Sequence, residues 1–178
     1  INEIFCASNV NDVLTRFISS GKLEPKETIP SVAPSMDIQI PSSLERLIYN
    51  FEGDSSSFYD QLQNEKIAKL SEESVVKLQN IFSSLSFNDE MILNEIDLFY
   101  KNYGWVIDPH TATALSSSVT FSSTLPVVGV ATASPEKFSD VISKIIDEFR
   151  VESTKNEEKY FVQKANSSLV ENTIKECL

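Results

Sequence analysis

Residues 4–21 contain the change of hydrophobic period that decides the fold class: Ile-Phe-Cys-Ala-Ser-Asn-Val-Asn-Asp-Val-Leu-Thr-Arg-Phe-Ile-Ser-Ser-Gly. The first four residues are apolar or small, which predicts a short buried strand, and a polar turn begins at Ser8. An apolar stripe at helical spacing follows, formed by Val13, Leu14, Phe17 and Ile18. Gly21 lies where this helix would end. The order strand, polar turn, helix is typical of an α/β protein.

A second unit of the same kind is predicted further along the chain. Residues 126–131 are almost free of polar side chains, which is typical of a parallel strand covered on both faces. The strand ends at Thr132 and Ala133, and Ser134-Pro135 begins a helix. The apolar stripe of this helix is Phe138, Val141, Ile142, Ile145, Ile146 and Phe149.

A helical part separates the two units. Residues 22–41 hold four prolines and no sustained period, which predicts an ordered loop. Helices are then predicted from Ser42, over 58–70, over 71–85 and over 88–103. The predicted division is 1–41 and 105–150 for the α/β part, 42–104 for a helical insert and 151–178 for a C-terminal strand and helix. The insert has no clustered catalytic residue types, so a scaffold or lid is expected.

The composition excludes several classes of function. The chain carries 15 Lys plus Arg against 26 Asp plus Glu, and this net charge of −11 argues against nucleic acid as a partner. Four dispersed glycines cannot build a glycine-rich phosphate loop. One histidine and two cysteines make neither a metal cluster nor a disulfide framework, so no metal is expected.

A cytoplasmic location without membrane contact is expected. The longest weakly polar stretch, 124–133, is far shorter than the roughly 20 residues of a membrane span. No secretion-signal pattern occurs, and two thiols suit a reducing compartment. The sequence opens at Ile1 with a strand close behind it, so an upstream part is expected.

Chemistry is expected at the carboxyl ends of the two predicted strands, where open α/β sheets bind ligands. One end is 8–12, and the other runs from Thr132 to Ser134. Both place uncharged hydrogen-bonding groups beside a helix N-terminus, which suits a neutral or anionic ligand. Asn9, Asn11 and Ser134 can alternatively serve as helix caps, a frequent use of these residue types. The Thr132 hydroxyl precedes the cap and needs a partner at the end of a buried strand.

His110 is the one histidine and so the obvious candidate for a general base. It follows Asp108-Pro109, a cap and first helical position, so it lies in the first turn of a helix rich in small residues. The positive end of the helix dipole disfavours an imidazolium, which favours a neutral hydrogen-bonding or packing role over catalysis. Because no GxSxG elbow occurs, a serine hydrolase is a poor fit.

Five blocks of the sequence form one recognisable set: residues 6–17, CASNVNDVLTRF; 34–38, PSMDI, with Ser42, Ser43, Glu45 and Arg46; 108–112, DPHTA; 131–138, ATASPEKF; and, more loosely, 159–178. Read together, these blocks resemble threonine synthase, a family of fold-type II pyridoxal-phosphate enzymes. The resemblance implies the C-terminal part of a tryptophan-synthase-β-like fold with a helical insert. The segments 1–41 and 105–150 would then belong to the domain that binds pyridoxal phosphate.

The resemblance implies an enzyme that converts O-phospho-L-homoserine and water to L-threonine and phosphate. Pyridoxal 5'-phosphate would be its cofactor and electron sink. In the family a lysine holds the cofactor as a Schiff base, and a Gly/Asn-rich loop binds its phosphate. Neither motif occurs here, so no catalytic lysine is assigned. The N-terminal half of the same enzyme is therefore the expected partner, and the chain alone is expected to be inactive.

The resemblance also assigns site residues. Thr132 matches a family hydroxyl that hydrogen-bonds the pyridine nitrogen, and a neutral partner of this kind leaves the nitrogen largely unprotonated. Asn9 is expected to face the cofactor ring. Further candidates near the site are Asn11, Asp12, Ser35 and His110. Family members more often have Asn where this chain has Ser43, and His where it has Ser134.

Two other functions stay open. One is a different reaction on the same fold, such as a threonine dehydratase or a threonine-synthase-like phospho-lyase. The other is a non-catalytic α/β interaction module, which would need no upstream partner.

Overall fold

The computed structural model describes residues 3–117 and 126–150. Its helices are α1 Val13–Ser20, α2 Leu44–Glu52, α3 Ser56–Glu65, α4 Glu72–Ile81, α5 Asp89–Tyr103, α6 Pro109–Ser116 and α7 Ser139–Ile142. Its strands are β1 Ile4–Ser8, β2 Lys22–Leu23, β3 Ala68–Lys69 and β4 Phe82–Ser86. Two short 3-10 helices cover Pro34–Met36 and Pro135–Phe138.

The central sheet pairs β1 with β4 in parallel, from Ile4 opposite Phe82 to Ser8 opposite Ser86. Successive side chains of β1 point to opposite faces. Cys6 therefore packs against one core cluster, while Phe5 and Ala7 pack against another. Both faces of the sheet are covered, as is usual for parallel strands. The predicted α/β class is confirmed.

The first core cluster lies between α1 and the helices α2, α3 and α4. Its large, almost fully buried side chains are Phe17, Leu23, Ile48 and Leu78. Phe17 meets Phe58 edge to face, with 6.2 Å between ring centroids, a favourable arrangement of aromatic rings. The helices of residues 44–81 thus share one core with the β1–α1 unit.

The second core cluster joins α5, α6 and α7 on the other face of the sheet. Ile92 and Ile96 of α5, Ala112 of α6 and Ile142 of α7 have no exposed surface. The small side chains of α6 allow α5 to lie close to it. Asp108 also caps α6 as predicted, since its carboxylate accepts the His110 N–H.

The prediction of a helix through Leu85 is wrong at its C-terminal end. Helix α4 stops at Ile81, and the next five residues form β4. Three of these five are serines, which favour helix interiors less than Ala or Leu do. The apolar spacing of Phe82 and Leu85 fits a helix as well as a strand. The parallel ladder with the distant β1 decides between them.

The prediction of a buried strand at 126–131 is also wrong for this chain. These residues have no regular secondary structure, and all of them are exposed. Val128 is 84% exposed and Val130 68% exposed. A strand needs a neighbouring strand for its backbone hydrogen bonds, and no described residue supplies one here.

The predicted helix after Ser134 is broken into shorter turns. A 3-10 helix spans Pro135–Phe138, α7 spans Ser139–Ile142, and the residues beyond it form turns. The apolar stripe nevertheless packs as predicted. Ile142 and Ile146 are buried in the second core cluster, and Phe138, Ile145 and Phe149 pack against it.

Helix α3 is shorter than predicted. It ends at Glu65, where Lys66 takes a left-handed φ of 63°. The tail 151–178, predicted to hold a strand and a helix, lies outside the described residues, so the predicted division into parts stays a prediction. Within 3–117 and 126–150, no helix is both long enough and apolar enough to cross a membrane.

Candidate functional site at the end of strand β1

The carboxyl end of β1 is enclosed by two other parts of the chain. Residues 9–12 connect β1 to α1, and the loop 29–37 lies against them. The first turn of α6 reaches the same loop through His110. The side chains that meet here come from segments far apart in the sequence.

Asp37 lies at the centre of a group of polar residues, the amide cluster, formed by Asn9, Asn11, Ser31 and Asp37. Its Oδ1 accepts from Asn9 Nδ2 at 2.7 Å, from Asn11 Nδ2 at 3.0 Å and from Ser31 Oγ at 2.7 Å. Its Oδ2 accepts the Ser31 N–H at 3.0 Å. All four donors are uncharged, and no described residue forms an ion pair with Asp37.

Asn11 also binds the backbone of the loop. Its Oδ1 accepts the Ile29 N–H at 2.9 Å, and its Nδ2 donates to the Ile29 carbonyl at 2.8 Å. Asn9 Oδ1 accepts the Asn11 N–H at 2.9 Å, and Asn9 Nδ2 lies 3.2 Å from the Ala33 carbonyl. Both side chains are buried, and their polar atoms are all engaged within the chain.

Asn9 and Asn11 are therefore not the cap of α1, although capping was the expected alternative. The cap position belongs to Asp12, whose side chain makes no capping hydrogen bond. Asp12 instead pairs with Arg16, 2.9 Å from Nε. It shares no hydrogen bond with the amide cluster. Ser134 occupies the cap position of its 3-10 helix, also without a capping bond.

His110 is held at both ring nitrogens. Nδ1 lies 2.9 Å from Asp108 Oδ1, and Nε2 accepts the Ser35 N–H at 3.1 Å. A ring whose Nε2 accepts a backbone N–H must carry its proton on Nδ1 and be neutral. The neutral hydrogen-bonding role predicted for His110 is thus what the geometry gives, with no nitrogen left to act as a base.

A short chain of hydroxyl groups supports the end of β1 from the α1 side. Ser8 Oγ lies 2.8 Å from Thr15 Oγ1, which lies 2.8 Å from Ser84 Oγ of β4. Ser84 in turn donates to the Cys6 carbonyl at 2.5 Å. Burial raises the pKa of the Cys6 thiol, which disfavours its thiolate.

Thr132 has different surroundings. It is exposed, lies in a segment without regular structure and makes no hydrogen bond to another described residue. The same segment leads into the turn that carries Phe138, whose ring centroid lies 4.8 Å from that of His110. Thr132 therefore lies six residues before a ring that contacts His110 of α6, but it makes no hydrogen bond to Asn9.

The structure brings together Asn9, Asn11, Ser35 and His110 around one loop, and it leaves Asp12 and Thr132 outside that group. Two further residues have a central place in this group, Asp37 and Asp108. The sequence predicted Asp108 as a helix cap, and it assigned no individual role to Asp37. Asp37 lies in a proline-rich loop that has no hydrophobic periodicity. Its importance comes from its proximity to Asn9 and Asn11 in the folded chain, and no signal in the sequence shows that proximity.

No protein-family model matches this chain. It is 31% identical to threonine synthase of Pseudomonas aeruginosa in an alignment of 150 residues that covers 81% of this chain and 32% of that protein. It is 30% identical to threonine synthase-like 1 of Macaca fascicularis, over 94% of this chain and 23% of that protein. The chain therefore spans about a third or less of these relatives.

A solved structure shares the fold. Threonine synthase of Brucella melitensis, described as bound to pyridoxal phosphate, superposes with a TM-score of 0.81 and 26% identity, over 99% of this chain and 40% of that one. By fold, then, the chain is of the α/β class found in pyridoxal-phosphate threonine synthases. The resemblance read from its motifs is confirmed. The chain is homologous to threonine synthases, consistent with their C-terminal portion.

Proposed function

We propose that this chain is the C-terminal part of a pyridoxal-phosphate enzyme that makes L-threonine and phosphate from O-phospho-L-homoserine and water. The observation that carries the proposal is its likeness, over 99% of its length, to a threonine synthase with that cofactor. The motif blocks at 6–17, 108–112 and 131–138 support it independently of the structure.

The residues described here suit one group of the cofactor. An exposed threonine hydroxyl can bind a ring nitrogen, and Thr132 is exposed and makes no hydrogen bond to another described residue. When bound, pyridoxal phosphate supplies the electron sink for carbanion chemistry at the substrate. Thr132 Oγ1 would hold the ring nitrogen by donating a hydrogen bond to it, and as a neutral group it would transfer no proton. Asn9 then forms the wall of the site through its backbone, since its amide is already engaged.

An upstream part of the same enzyme supplies the cofactor-holding lysine and the phosphate loop. Two features of the chain support such a partner. Strand β1 pairs with β4 alone among the described strands, and parallel sheets of two strands are rarely stable. The apolar residues 126–131 lie exposed beside α6, where Gly129 approaches the Leu115 side chain. An added strand would cover both. The cytoplasm is the proposed location, supported by the free thiol of Cys6.

The test uses the complete enzyme that contains this chain. Thr132→Val removes the hydroxyl at nearly constant shape, and Thr132→Ser keeps a hydroxyl and serves as the control. We expect the valine variant to lose at least about tenfold in cofactor affinity and in phosphate release from O-phospho-L-homoserine. The serine variant should stay within about threefold of the wild type. Equal behaviour of all three proteins would remove Thr132 from the site, and a wild type without phosphate release would overturn the function.

One rival has an observation of its own. The relatives at 30% identity over 94% of the chain are named threonine synthase-like 1, a name that leaves room for another reaction on the same fold. A phospho-lyase would convert O-phospho-L-homoserine and water to 2-oxobutyrate, ammonia and phosphate, and a dehydratase would convert L-threonine to 2-oxobutyrate and ammonia. Measuring phosphate, threonine and 2-oxobutyrate in one assay of the complete enzyme separates the two.

A further inference from the structure

Asp37 has a place in the structure that none of the proposed roles uses. It is half-buried, and its carboxylate receives four hydrogen bonds from three residues. Each partner is a donor, so the Asp37 carboxylate serves as the acceptor in all four contacts. Hydrogen bonds to an ionised group are about twice as strong as those between neutral groups.

Asp37 and neighbouring backbone groups together fix which way the two asparagine amides point. Asn9 Nδ2 faces the carboxylate at 2.7 Å, and Asn9 Oδ1 faces the Asn11 N–H at 2.9 Å. Rotating the Asn9 amide by half a turn would set its oxygen against a negative oxygen and its NH2 against an N–H. The same holds for Asn11, whose Oδ1 must face the Ile29 N–H. Only one orientation of each amide satisfies all partners.

The same carboxylate also closes the loop 29–37 on itself. Asp37 accepts both the N–H and the hydroxyl of Ser31, which joins the two ends of the loop. From there the loop is bound to β1 through the asparagines and to α6 through the Ser35 N–H. Asp89, at the start of α5, accepts the Val32 N–H at 3.2 Å without touching either asparagine.

We propose that Asp37 is the positioning residue of this site: its carboxylate orients Asn9 and Asn11 and thereby sets the shape of the wall at the end of β1. The inference rests on the proposed function, because it assumes that this wall faces the cofactor and substrate. In this proposal Asp37 contacts neither of them. It acts through the asparagines and through the loop 29–37.

The experiment compares two variants of the complete enzyme. Asp37→Asn keeps the size but turns an acceptor into a donor and removes the charge. Asp89→Asn makes the same chemical change at a residue that holds the same loop but not the amides. Pyridoxal phosphate is titrated into each apoenzyme, and both half-saturation and end-point are measured. Hydrogen exchange over 29–37 is followed in parallel.

For Asp37→Asn we expect half-saturation to rise about tenfold, with an unchanged end-point and faster exchange over 29–37. For Asp89→Asn, half-saturation should stay within about twofold of the wild type. A merely structural role of Asp37 would lower the end-point and leave half-saturation alone, which would overturn the inference. Equal half-saturation in the two variants would overturn it too. A wild type that binds no cofactor would instead overturn the proposed function, and the inference with it.

Discussion

The end of β1 and the segment 126–133 are two strand ends with similar sequence patterns and opposite surroundings. At the end of β1, Asn9 and Asn11 are buried with their amides fully engaged. In the second segment, Val128 is 84% exposed and Thr132 makes no hydrogen bond to another described residue. The comparison teaches that composition indicates that a segment is suited to burial, but not what will bury it.

The largest expected effect tests whether the second segment is buried in the complete enzyme. Val128→Asp should lower its free energy of unfolding by about 4 kcal/mol, because an unpaired charge would enter a covered strand. Val76→Asp on α4, 59% exposed, is the control and should cost less than about 1 kcal/mol. Urea denaturation measures both. If the two substitutions cost the same, the segment is not covered and the comparison fails.

The next effect tests how much the hydrogen bonds of His110, near the end of β1, contribute to the free energy of unfolding. His110→Ala leaves the Ser35 N–H without an acceptor and takes one donor from the buried Asp108. The expected loss is about 2–3 kcal/mol in the free energy of unfolding, since unsatisfied buried groups carry the full cost of desolvation.

His110→Asn is the matched control. Its amide nitrogen can still donate to Asp108, so it should recover about half of the loss in urea denaturation. A loss below about 0.5 kcal/mol for the alanine variant would show that the contacts of His110 contribute little.

Alanine substitutions at the two glycines that end α1 and α5 should have a smaller effect on the free energy of unfolding. Comparing them separates the cost of the backbone conformation from the cost of a steric clash. Gly21 and Gly104 both end a helix with φ of 69°. A Cβ would collide with Val75 at Gly21 and would meet nothing within 4 Å at Gly104. Gly104→Ala should therefore cost about 1 kcal/mol, the price of the left-handed conformation alone. Gly21→Ala should cost roughly 1 kcal/mol more in thermal or urea unfolding. Equal losses would mean that Val75 moves aside freely.

The smallest effect concerns β1 itself. Burial raises the pKa of the Cys6 thiol, so less thiolate forms at a given pH. Alkylation of Cys6 should be at least about tenfold slower at pH 8 than that of a free thiol. Its rate should still be rising with pH where a solvent-exposed thiol has levelled off. Peptide mass spectrometry of the labelled protein measures this, and a rate equal to that of glutathione would show that β1 is open to solvent.

Much of the fold follows from local signals in the sequence. The β1–α1 unit, the cap at Asp108 and the helix end at Gly104 depend on neighbouring residues, and each was predicted. The strand Phe82–Ser86 was missed because its apolar spacing also fits a helix, and its partner β1 lies far away in the sequence. The sequence pointed to the end of β1, where the amide cluster lies, but it did not identify the central residue of that cluster. Asp37 acquires its donors only when the loop 29–37 folds back on β1.

By itself the sequence determined the α/β class, the family resemblance and the neutral role of the one histidine, because each rests on residue types at fixed spacings. The tertiary structure alone decided that the asparagines bind Asp37 instead of capping α1, and that β4 completes the sheet. These outcomes depend on hydrogen bonds between residues distant along the chain. A sequence pattern records the donors and acceptors that each segment offers, and only folding determines which of them meet.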